Sequence, residues 1–452
     1  MSESSGSTAA GAPPEVVVVG AGVAGLVVAR ELVLHGHSVR VLEAEQHAGG
    51  QVSSIELDGL LLDSGAESFA TRNGTVRELL EGLGIADRVV SPRDSPAWLH
   101  ASDGQTVPLP ATSLFGIPAM PLADDVVRVV GRRGAWRGML DALLPGPVGS
   151  TLPTVGALVR RRMGDAILER LVAPVVEGIH STHPDELPVS AVPGLVHNLL
   201  RENSLGRAVA RMRTDAPAGS LVASLDGGMS TLVDALLAEL DRFGVPVEYG
   251  VRVAAVHTDH VVLARDEGDE NEGLEPEVRY GRVVVAAPGL VGPADGSDAV
   301  QTTTHLVLLV LAPDAALAVA PRGTGVLVAR GGDVVARALT HVTAKWSSVH
   351  AAADGREVVR LSYEQPPSLE RARRDAEVLL GVNLPSDRVI AGEIVTWLRA
   401  GRIVVDEGVP VVGEQVAGTG LAAVIAQARA VAERLDTPED SKIAMTEKES
   451  TL

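Results

Sequence analysis

The sequence predicts an α/β protein, and three observations lead to that prediction. Apolar strand-like runs alternate with amphipathic helical segments along most of the 452 residues, which is the pattern of a sheet covered by helices. Residues 16–44 read as a strand, a glycine turn, a helix and a second strand that ends in an acid. Apolar residues make up 46% of the chain, enough for buried cores, and the length suggests two or three domains.

Composition and charge exclude several functions. The formal net charge is −19 and aromatic residues make up 2% of the chain, so nucleic-acid binding, which needs surplus cations and stacking side chains, is not expected. The sequence contains no cysteine. This excludes disulfides, thiolate metal sites and a cysteine nucleophile, and it fits a reducing cytosol. No metal is expected, because no set of ligands with suitable spacing stands out.

The apolar runs and the first residues predict the location of the protein. Residues 1–15 lack the basic and apolar regions of a secretory signal. Charged residues or proline interrupt the apolar runs at 16–34 and 305–321, so neither is typical of a membrane span. We therefore expect a cytoplasmic protein. A peripheral membrane contact stays open, because a run of arginines either faces anionic lipid or forms a solvated helix face: Arg128, Arg132, Arg133, Arg137, Arg160, Arg161 and Arg162.

The other elements follow from periodicity and turn residues. Polar termini at 1–14 and 437–452 predict disorder. Asp103 and Gly104 predict the turn of a hairpin across residues 97–109. Helices are predicted at 76–83, through most of 123–213, and at 229–243, 368–380 and the alanine-rich end of 413–435. Strands are predicted at 245–249, 252–257, 261–264, 282–287, 302–311, 325–329 and 358–363.

The glycine turn after the first strand predicts a dinucleotide site. Gly20 allows a tight turn, Gly22 allows the backbone to approach a pyrophosphate, and Gly25 allows close packing of helix on strand. The helix that follows offers free N–H groups and the positive end of its dipole to the diphosphate. Glu43 ends the second strand, where a carboxylate accepts hydrogen bonds from ribose hydroxyls and repels a 2′-phosphate.

A second glycine pair separates the two common dinucleotides. The fingerprint and Glu43 alone leave both NAD and FAD open. Gly49 and Gly50 follow six residues after Glu43, and the stretch DSGAESF begins at Asp63. The paired glycines allow a second close approach of the backbone to a long, extended dinucleotide. This favours FAD.

The order GAGVAGL, VLEA, GG, DSGAESF resembles the FAD-binding half of the monoamine oxidase-like flavoproteins. Later stretches are similar, more narrowly, to the oxygen-dependent protoporphyrinogen and coproporphyrinogen oxidases: VPLP at 107–110, LVAPVVEGIHSTHPDELPVSA at 171–191, SLDGGMSTLVDAL at 224–236 and AKWSSV at 344–349. The resemblance implies a discontinuous Rossmann-like FAD-binding domain, a mixed-sheet substrate domain and a helical insertion. The expected parts are FAD-binding at 15–88, 216–290 and 396–436, a substrate and helical region at 89–215, and a substrate domain at 291–395.

The resemblance also implies a role for individual residues. Gly20, Gly22 and Gly25 meet the pyrophosphate, and Glu43 meets the adenosine ribose. Val253 meets the adenine with its backbone, and Gly49 and Gly50 follow the ribityl chain. Gly65, Ala66 and Glu67 approach the flavin. A helix N-terminus lies near the pyrimidine end of the flavin, at Thr419, Gly420 and Leu421. Arg72 and Lys345 are the candidates for contacting substrate carboxylates.

Two departures from the family pattern bear on the same site. Gln51 stands directly after the paired glycines, where the family has lysine or arginine, so a cation near the phosphate or flavin is missing. The connection after residues 397–400 is shortened, and the stretch GEQVAGTGL at 413–421 differs from the family's small and aromatic residues. These differences affect the expected shape of the flavin-facing floor.

The function that the resemblance implies is oxidation of a porphyrinogen by FAD and O2 in haem biosynthesis. Since the sequence shows no clear membrane segment, coproporphyrinogen III is favoured over protoporphyrinogen IX. The substrate is then a tetrapyrrole, and the reduced flavin returns its electrons to O2 as H2O2. The alternatives are an amine oxidase-like or desaturase-like enzyme with another substrate, and a flavoprotein that has lost turnover. An NAD-dependent dehydrogenase fits less well. The sequence does not predict an oligomeric state.

Overall fold

The computed structural model describes residues 15–71, 74–180, 182–214, 222–264, 277–293, 301–401, 403–404 and 408–436. Within them, a parallel sheet, a large mixed sheet and a helical region each have an apolar core. The predicted α/β class is confirmed. No helix of the described ranges combines the length and the apolar character needed to cross a bilayer.

The parallel sheet, which we call the nucleotide sheet, is built from distant parts of the chain. Its strands, in spatial order, are Val247–Glu248, Val39–Leu42, Val16–Val19 and Arg282–Val285. Val411 adds a parallel bridge beside Val285. Strands buried on both faces need apolar residues at every position, and the all-valine first strand is buried throughout.

Three helices cover one face of the nucleotide sheet. Helix Val23–Leu34 packs between helices Ser230–Arg242 and Leu421–Asp436. The opposite face packs against a small antiparallel sheet of strands Val253–Val256, His260–Leu263 and Val278–Tyr280. The predicted strand at 245–249 shortens to two residues. The helix predicted at the alanine-rich end of 413–435 is Leu421–Asp436, and a short helix, Glu414–Ala417, precedes it among glycines with positive φ.

The large sheet has seven strands from two stretches of the chain. The predicted hairpin at 97–109 is confirmed, with Asp103 accepting a hydrogen bond from the Gln105 N–H at its turn. Helix Leu369–Leu380 packs on this sheet and begins at the capping side chain of Ser368. In spatial order the strands are Val389–Ala400, Gln301–Leu311, Glu357–Tyr363, Ala338–His341, Gly325–Val328, Ala97–His100 and Thr106–Pro108.

The helical region follows the hairpin and confirms the helical prediction for 123–213. Its α-helices are Asp124–Met139, Val155–Met163, Asp165–Ile167, Ala173–His180, Leu195–Glu202 and Leu205–Thr214. Arg162 lies fully buried at its centre, bonded to Asp141 and to five backbone carbonyls. Asp141 also accepts hydrogen bonds from the Ser204 hydroxyl at 2.7 Å and the Gly206 N–H at 3.0 Å.

Short elements complete the described chain. The strands are Ser54–Leu57, Leu60–Asp63, Phe69–Ala70, Val89–Val90, Ser113–Leu114, Ile117–Pro118 and Val222–Leu225. The short α-helices are Thr75–Gly82, Ala315–Ala318, Val342–Lys345 and Ser347–Ala352. The strand Val222–Leu225 pairs with both Phe69–Ala70 and Val89–Val90, which ties the second nucleotide-binding stretch to the first.

Candidate functional site

The glycine turn has the geometry of a diphosphate site. Gly20 has a φ of +104°, which favours glycine. A Cβ on Gly25 would lie 1.9 Å from the Gly20 carbonyl oxygen, whereas a Cβ on Gly22 would meet no described atom within 4 Å. Among the described residues, no side chain caps the helix that starts after Gly22. Its first N–H groups are thus available to an anion.

Glu43 is fixed at the end of the second strand by backbone donors. The Ala21 N–H donates to its Oε2 at 2.7 Å, and the Glu45 N–H donates to its Oε1 at 2.9 Å. A carboxylate has about four acceptor positions, so each oxygen keeps capacity for a ribose hydroxyl. Val253 lies near this end of the sheet, because the Val251 N–H donates to the Glu43 carbonyl at 2.8 Å.

The second glycine pair packs directly against the first loop. Gly49 forms a parallel bridge with Gly22, and its N–H donates to the Ala21 carbonyl at 2.8 Å. Gly49 has a φ of +109°, and a Cβ there would lie 2.3 Å from the Val52 carbonyl oxygen. A Cβ on Gly50 would lie 3.5 Å from the Gly22 Cα. The two glycine motifs therefore form one continuous wall, as a long dinucleotide requires.

The DSGAESF stretch extends this wall. A Cβ on Gly65 would lie 1.8 Å from the Gln51 carbonyl oxygen, and the Ala66 N–H donates to the same oxygen at 2.8 Å. The Trp397 indole N–H donates to the Ser64 carbonyl at 2.7 Å, which joins the large sheet to the wall. Residues 65–67 thus lie between the glycine pair and the large sheet.

Glu67 is the centre of a largely buried charge cluster. Its carboxylate accepts a hydrogen bond from Lys345, and the Arg360 Nη1 lies 3.6 Å from its Oε2. Arg360 also donates to the Gly65 carbonyl. Burial acts to raise the pKa of Glu67, but the charges of Lys345 and Arg360 outweigh it and lower that pKa. The three side chains are 16%, 17% and 14% exposed, so Lys345 is not a surface charge.

Asp63 lies beside this cluster, and its pKa is raised where that of Glu67 is lowered. Burial and the neighbouring charge of Glu67 raise the pKa of Asp63 to about 6, against the Met229 N–H and the charge of Arg360, which lower it. The Met229 N–H donates to the Asp63 carboxylate at 2.8 Å, and a Cβ on Gly228 would lie 3.0 Å from it. The DSGAESF and LDGGM stretches, far apart in sequence, therefore meet in the fold.

The third nucleotide-binding stretch enters next to the strand Arg282–Val285. The Val412 N–H donates to the Val285 carbonyl at 2.8 Å, and helix Glu414–Ala417 follows at once. Thr419 and Gly420 are exposed ahead of helix Leu421–Asp436, and no described atom would lie within 4 Å of a Cβ on Gly420. The predicted helix N-terminus therefore lies open at this end of the site.

Gln51 is neutral, but a positively charged side chain, Arg399, lies close to it. The Gln51 side-chain amide donates to Glu414 Oε2 at 3.0 Å, and Arg399 Nη2 lies 2.9 Å from Glu414 Oε1. The sequence predicts that a cation is missing near the phosphate or flavin, because residue 51 itself is neutral. The structure brings an arginine from the large sheet to the acid that Gln51 contacts.

Sequence reasoning missed four of these side chains: Asp63, Arg360, Arg399 and Glu414. Arg360 had a readable signal, since it is the one cation inside the apolar strand EVVRLSY. Arg399 and Glu414 lacked such a signal, because only the fold brings them to Gln51. Arg72 lies outside the described residues.

Fold and site together define a class of protein. A nucleotide sheet assembled from three stretches, two glycine motifs that form one wall, and a second sheet that closes over them are the features of a flavin-dependent oxidoreductase. The uncapped helix, the open Gly22 and the hydrogen-bonded Glu43 fit a dinucleotide, and the Gly49–Gly50 wall extends along the site as FAD requires.

The family model described as flavin containing amine oxidoreductase matches residues 23–291, and the chain belongs to this family. FAD is its cofactor, and it is an FAD-dependent oxidoreductase. The resemblance to the monoamine oxidase-like flavoproteins, and among them to the porphyrinogen oxidases, is confirmed.

Individual relatives narrow this similarity. Coproporphyrinogen III oxidase of Propionibacterium freudenreichii subsp. freudenreichii is 29% identical over 361 residues, which span 71% of this chain and 67% of that protein. Mitochondrial protoporphyrinogen oxidase of Nicotiana tabacum is 27% identical over 259 residues, or 53% of this chain and 50% of that protein. The crystal structure of a candidate protoporphyrinogen oxidase from Exiguobacterium sp. 255-15 superposes with a TM-score of 0.78 at 22% identity, covering 94% of this chain and 99% of the other.

Proposed function

We propose that the protein oxidises a porphyrinogen, with coproporphyrinogen III favoured over protoporphyrinogen IX, to the porphyrin in haem biosynthesis, with O2 as the terminal acceptor and H2O2 as its product. The similarity to coproporphyrinogen III oxidases over about two thirds of both chains supports the substrate class. The observation within the structure that carries the proposal is the cluster of Lys345 and Arg360 around Glu67.

That cluster has more positive than negative charge. Lys345 and Arg360 face one carboxylate whose pKa is lowered, so these three groups together carry one positive charge, which neighbouring Asp63 offsets as the pH passes through about 6. The cluster lies beside Gly65, in the stretch that the family resemblance implies would approach the flavin. A porphyrinogen carries propionate carboxylates on an otherwise apolar macrocycle. A positive charge that is largely buried away from water attracts such a carboxylate more strongly than a solvent-exposed charge does. Coproporphyrinogen III, with four propionates, suits this site better than protoporphyrinogen IX, with two.

The residues would divide the work as follows. Bound FAD supplies the two-electron acceptor for each oxidation and the contact with O2. The glycine wall and Glu43 would hold the dinucleotide extended, and Lys345 and Arg360 would orient the macrocycle through a propionate. Oxidation to the porphyrin removes six electrons and six protons, so three rounds consume three O2 and release three H2O2.

The alternatives lack comparable support. The amine-oxidising branch of this fold typically surrounds substrate amines with aromatic side chains, and this chain has three Phe and three Tyr in all. Lys345 and Arg360 would also repel a protonated amine that came close to them. Lost turnover is the remaining alternative, motivated by Gln51 and the shortened connection.

Turnover tests this proposal directly. FAD-loaded protein is mixed in air with coproporphyrinogen III or protoporphyrinogen IX, and porphyrin fluorescence and H2O2 are followed. Lys345→Gln and Arg360→Gln are expected to raise KM for the tetracarboxylate about tenfold each, as the loss of one charge-assisted contact does. Arg388→Gln, which removes an arginine 41% exposed beside Asp314, is the control. Absence of porphyrin with both substrates would reject the function, and unchanged KM in both variants would reject the role of the cluster.

We also propose a peripheral contact with anionic lipid through the helical region. In a chain of net charge −19, this region exposes arginines such as Arg132 and Arg133. In the same region Trp136 is 63% exposed and Leu143 is 79% exposed, and a cavity of 560 Å³ is lined by Met120, Met139 and neighbouring residues. Exposed apolar groups beside cations are typical of a surface that lies on a membrane.

Vesicle sedimentation tests this contact. Binding is expected to vesicles that contain phosphatidylserine, to weaken with salt, and to fall when Trp136 and Leu143 are both changed to serine. Val319→Ser, at a residue 74% exposed outside the helical region, serves as the control. Equal binding of the double variant and the control would overturn the assignment.

A further inference from the structure

A charged contact joins the residue after the glycine pair to two residues from the C-terminal part of the chain. Glu414 accepts a hydrogen bond from Gln51 on one carboxylate oxygen at 3.0 Å and pairs with Arg399 on the other at 2.9 Å. Gln51 follows the glycine pair, Arg399 lies on the strand Val389–Ala400 of the large sheet, and Glu414 begins the short helix within the third nucleotide-binding stretch. We propose that Arg399 is a positioning residue for FAD, which acts by neutralising and holding Glu414.

The position of Glu414 follows from the nucleotide sheet. Its helix begins directly after Val411 and Val412, which run parallel to the strand Arg282–Val285. Ligands of such sheets bind beyond the carboxyl ends of the strands. Gln51 approaches the same place from the other side, because Gly50 packs against Gly22 at the diphosphate turn. The carboxylate of Glu414 therefore lies along the wall that faces the cofactor.

The electrostatics explain why the arginine matters. The side chains of Glu414 and Arg399 are 20% and 24% exposed, so water screens their charges only in part. Reduction of FAD adds electrons to its ring system, and an uncompensated carboxylate nearby opposes that change as well as the binding of a diphosphate. Gln51 orients the carboxylate without cancelling its charge, since an amide is neutral. Arg399 supplies the positive charge that position 51 does not.

The test uses no porphyrinogen, so its result does not depend on the proposed substrate. Arg399→Gln is expected to weaken FAD binding about tenfold, the usual worth of a charge-assisted hydrogen bond, and to shift the midpoint potential of bound FAD to a more negative value. Arg399→Gln combined with Glu414→Gln removes the uncompensated carboxylate and is expected to restore the potential and most of the affinity. Arg399→Lys, which keeps the charge, is expected to keep the potential.

Arg388→Gln, directly before the same strand and paired with Asp314, is the matched control and is expected to change neither quantity. FAD affinity is read by fluorescence on cofactor release, and the potential by equilibration with a reference dye. A role confined to folding would lower the melting temperature of Arg399→Gln while leaving the potential unchanged, and that result overturns the proposal. Failure of Glu414→Gln to restore the potential overturns it as well.

Discussion

The raised pKa of Asp63 predicts that this residue makes the protein less stable as the pH rises. Its pKa is about 6 in the folded protein against 3.8 for an ordinary aspartate. Between these values the folded state keeps a proton that the unfolded state has lost, so the unfolding free energy falls as the pH increases. The contribution is complete below about pH 4 and is lost as the pH passes through about 6. The difference of roughly 2 pKa units corresponds to about 3 kcal/mol.

Asp63→Asn replaces the ionisable group with a neutral one that still accepts the Met229 N–H. We expect the variant to match the wild type near pH 4 and to exceed its stability by up to about 3 kcal/mol at pH 7 and above. Loss of attraction to Arg360 reduces that gain. Urea unfolding from pH 4 to 8, followed by tryptophan fluorescence and circular dichroism, measures the difference.

The control for this experiment is Asp165→Asn, at a carboxylate that is 76% exposed. This variant removes an acid paired with Arg160 at the surface, and it serves as the reference against which the change at buried Asp63 is compared. Parallel curves for Asp63→Asn, or a variant less stable than the wild type at pH 7, would refute the reasoning. Either result would mean that Asp63 is ionised without cost at neutral pH.

Three further predictions concern the site and its scaffold. Gly25→Ala is expected to prevent folding of the nucleotide sheet, measured by circular dichroism, because the new Cβ would lie 1.9 Å from a carbonyl oxygen. Gly22→Ala should fold, since its Cβ meets no described atom within 4 Å, but it should release FAD at least about tenfold more readily. Arg162→Met is expected to lower the unfolding free energy by about 3–5 kcal/mol, since it leaves Asp141 buried without its partner; an unchanged urea midpoint would contradict this. Lys345→Met removes one of the charges that lower the pKa of Glu67, so any limb of the rate profile that follows this carboxylate should move to higher pH.

The sequence predicts those parts of the fold that are encoded locally. The strand at 16–19, the glycines and Glu43 lie within 28 residues of each other, and the geometry that each needs follows from backbone sterics alone. The hairpin at 97–109 is of the same kind. The strands at 247–248 and 253–256 are shorter than predicted, since their ends depend on partners elsewhere in the fold.

The pairing of the charged side chains in the site could not be predicted in this way, because the partners are far apart in the sequence. Lys345 is a candidate from its neighbourhood in sequence, but its pairing with Glu67 spans 278 positions. Gln51 and Glu414 are 363 residues apart. Nothing in either local sequence indicates that the other completes it.

Gln51 shows how a single position can mislead when it is read alone. A neutral residue in place of a cation suggests a weakened flavin site. The relevant quantity is the summed charge of the groups in contact. The negative charge of Glu414 is balanced by Arg399, and the Gln51 amide donates a hydrogen bond to the Glu414 carboxylate. A lysine or arginine at position 51 would make a second cation around one acid, the arrangement already present at Glu67 with Lys345 and Arg360. The two clusters therefore differ in composition: at Glu67 two cations, available to the proposed carboxylated substrate, face one acid with Asp63 beside it, and at Glu414 one arginine faces one acid.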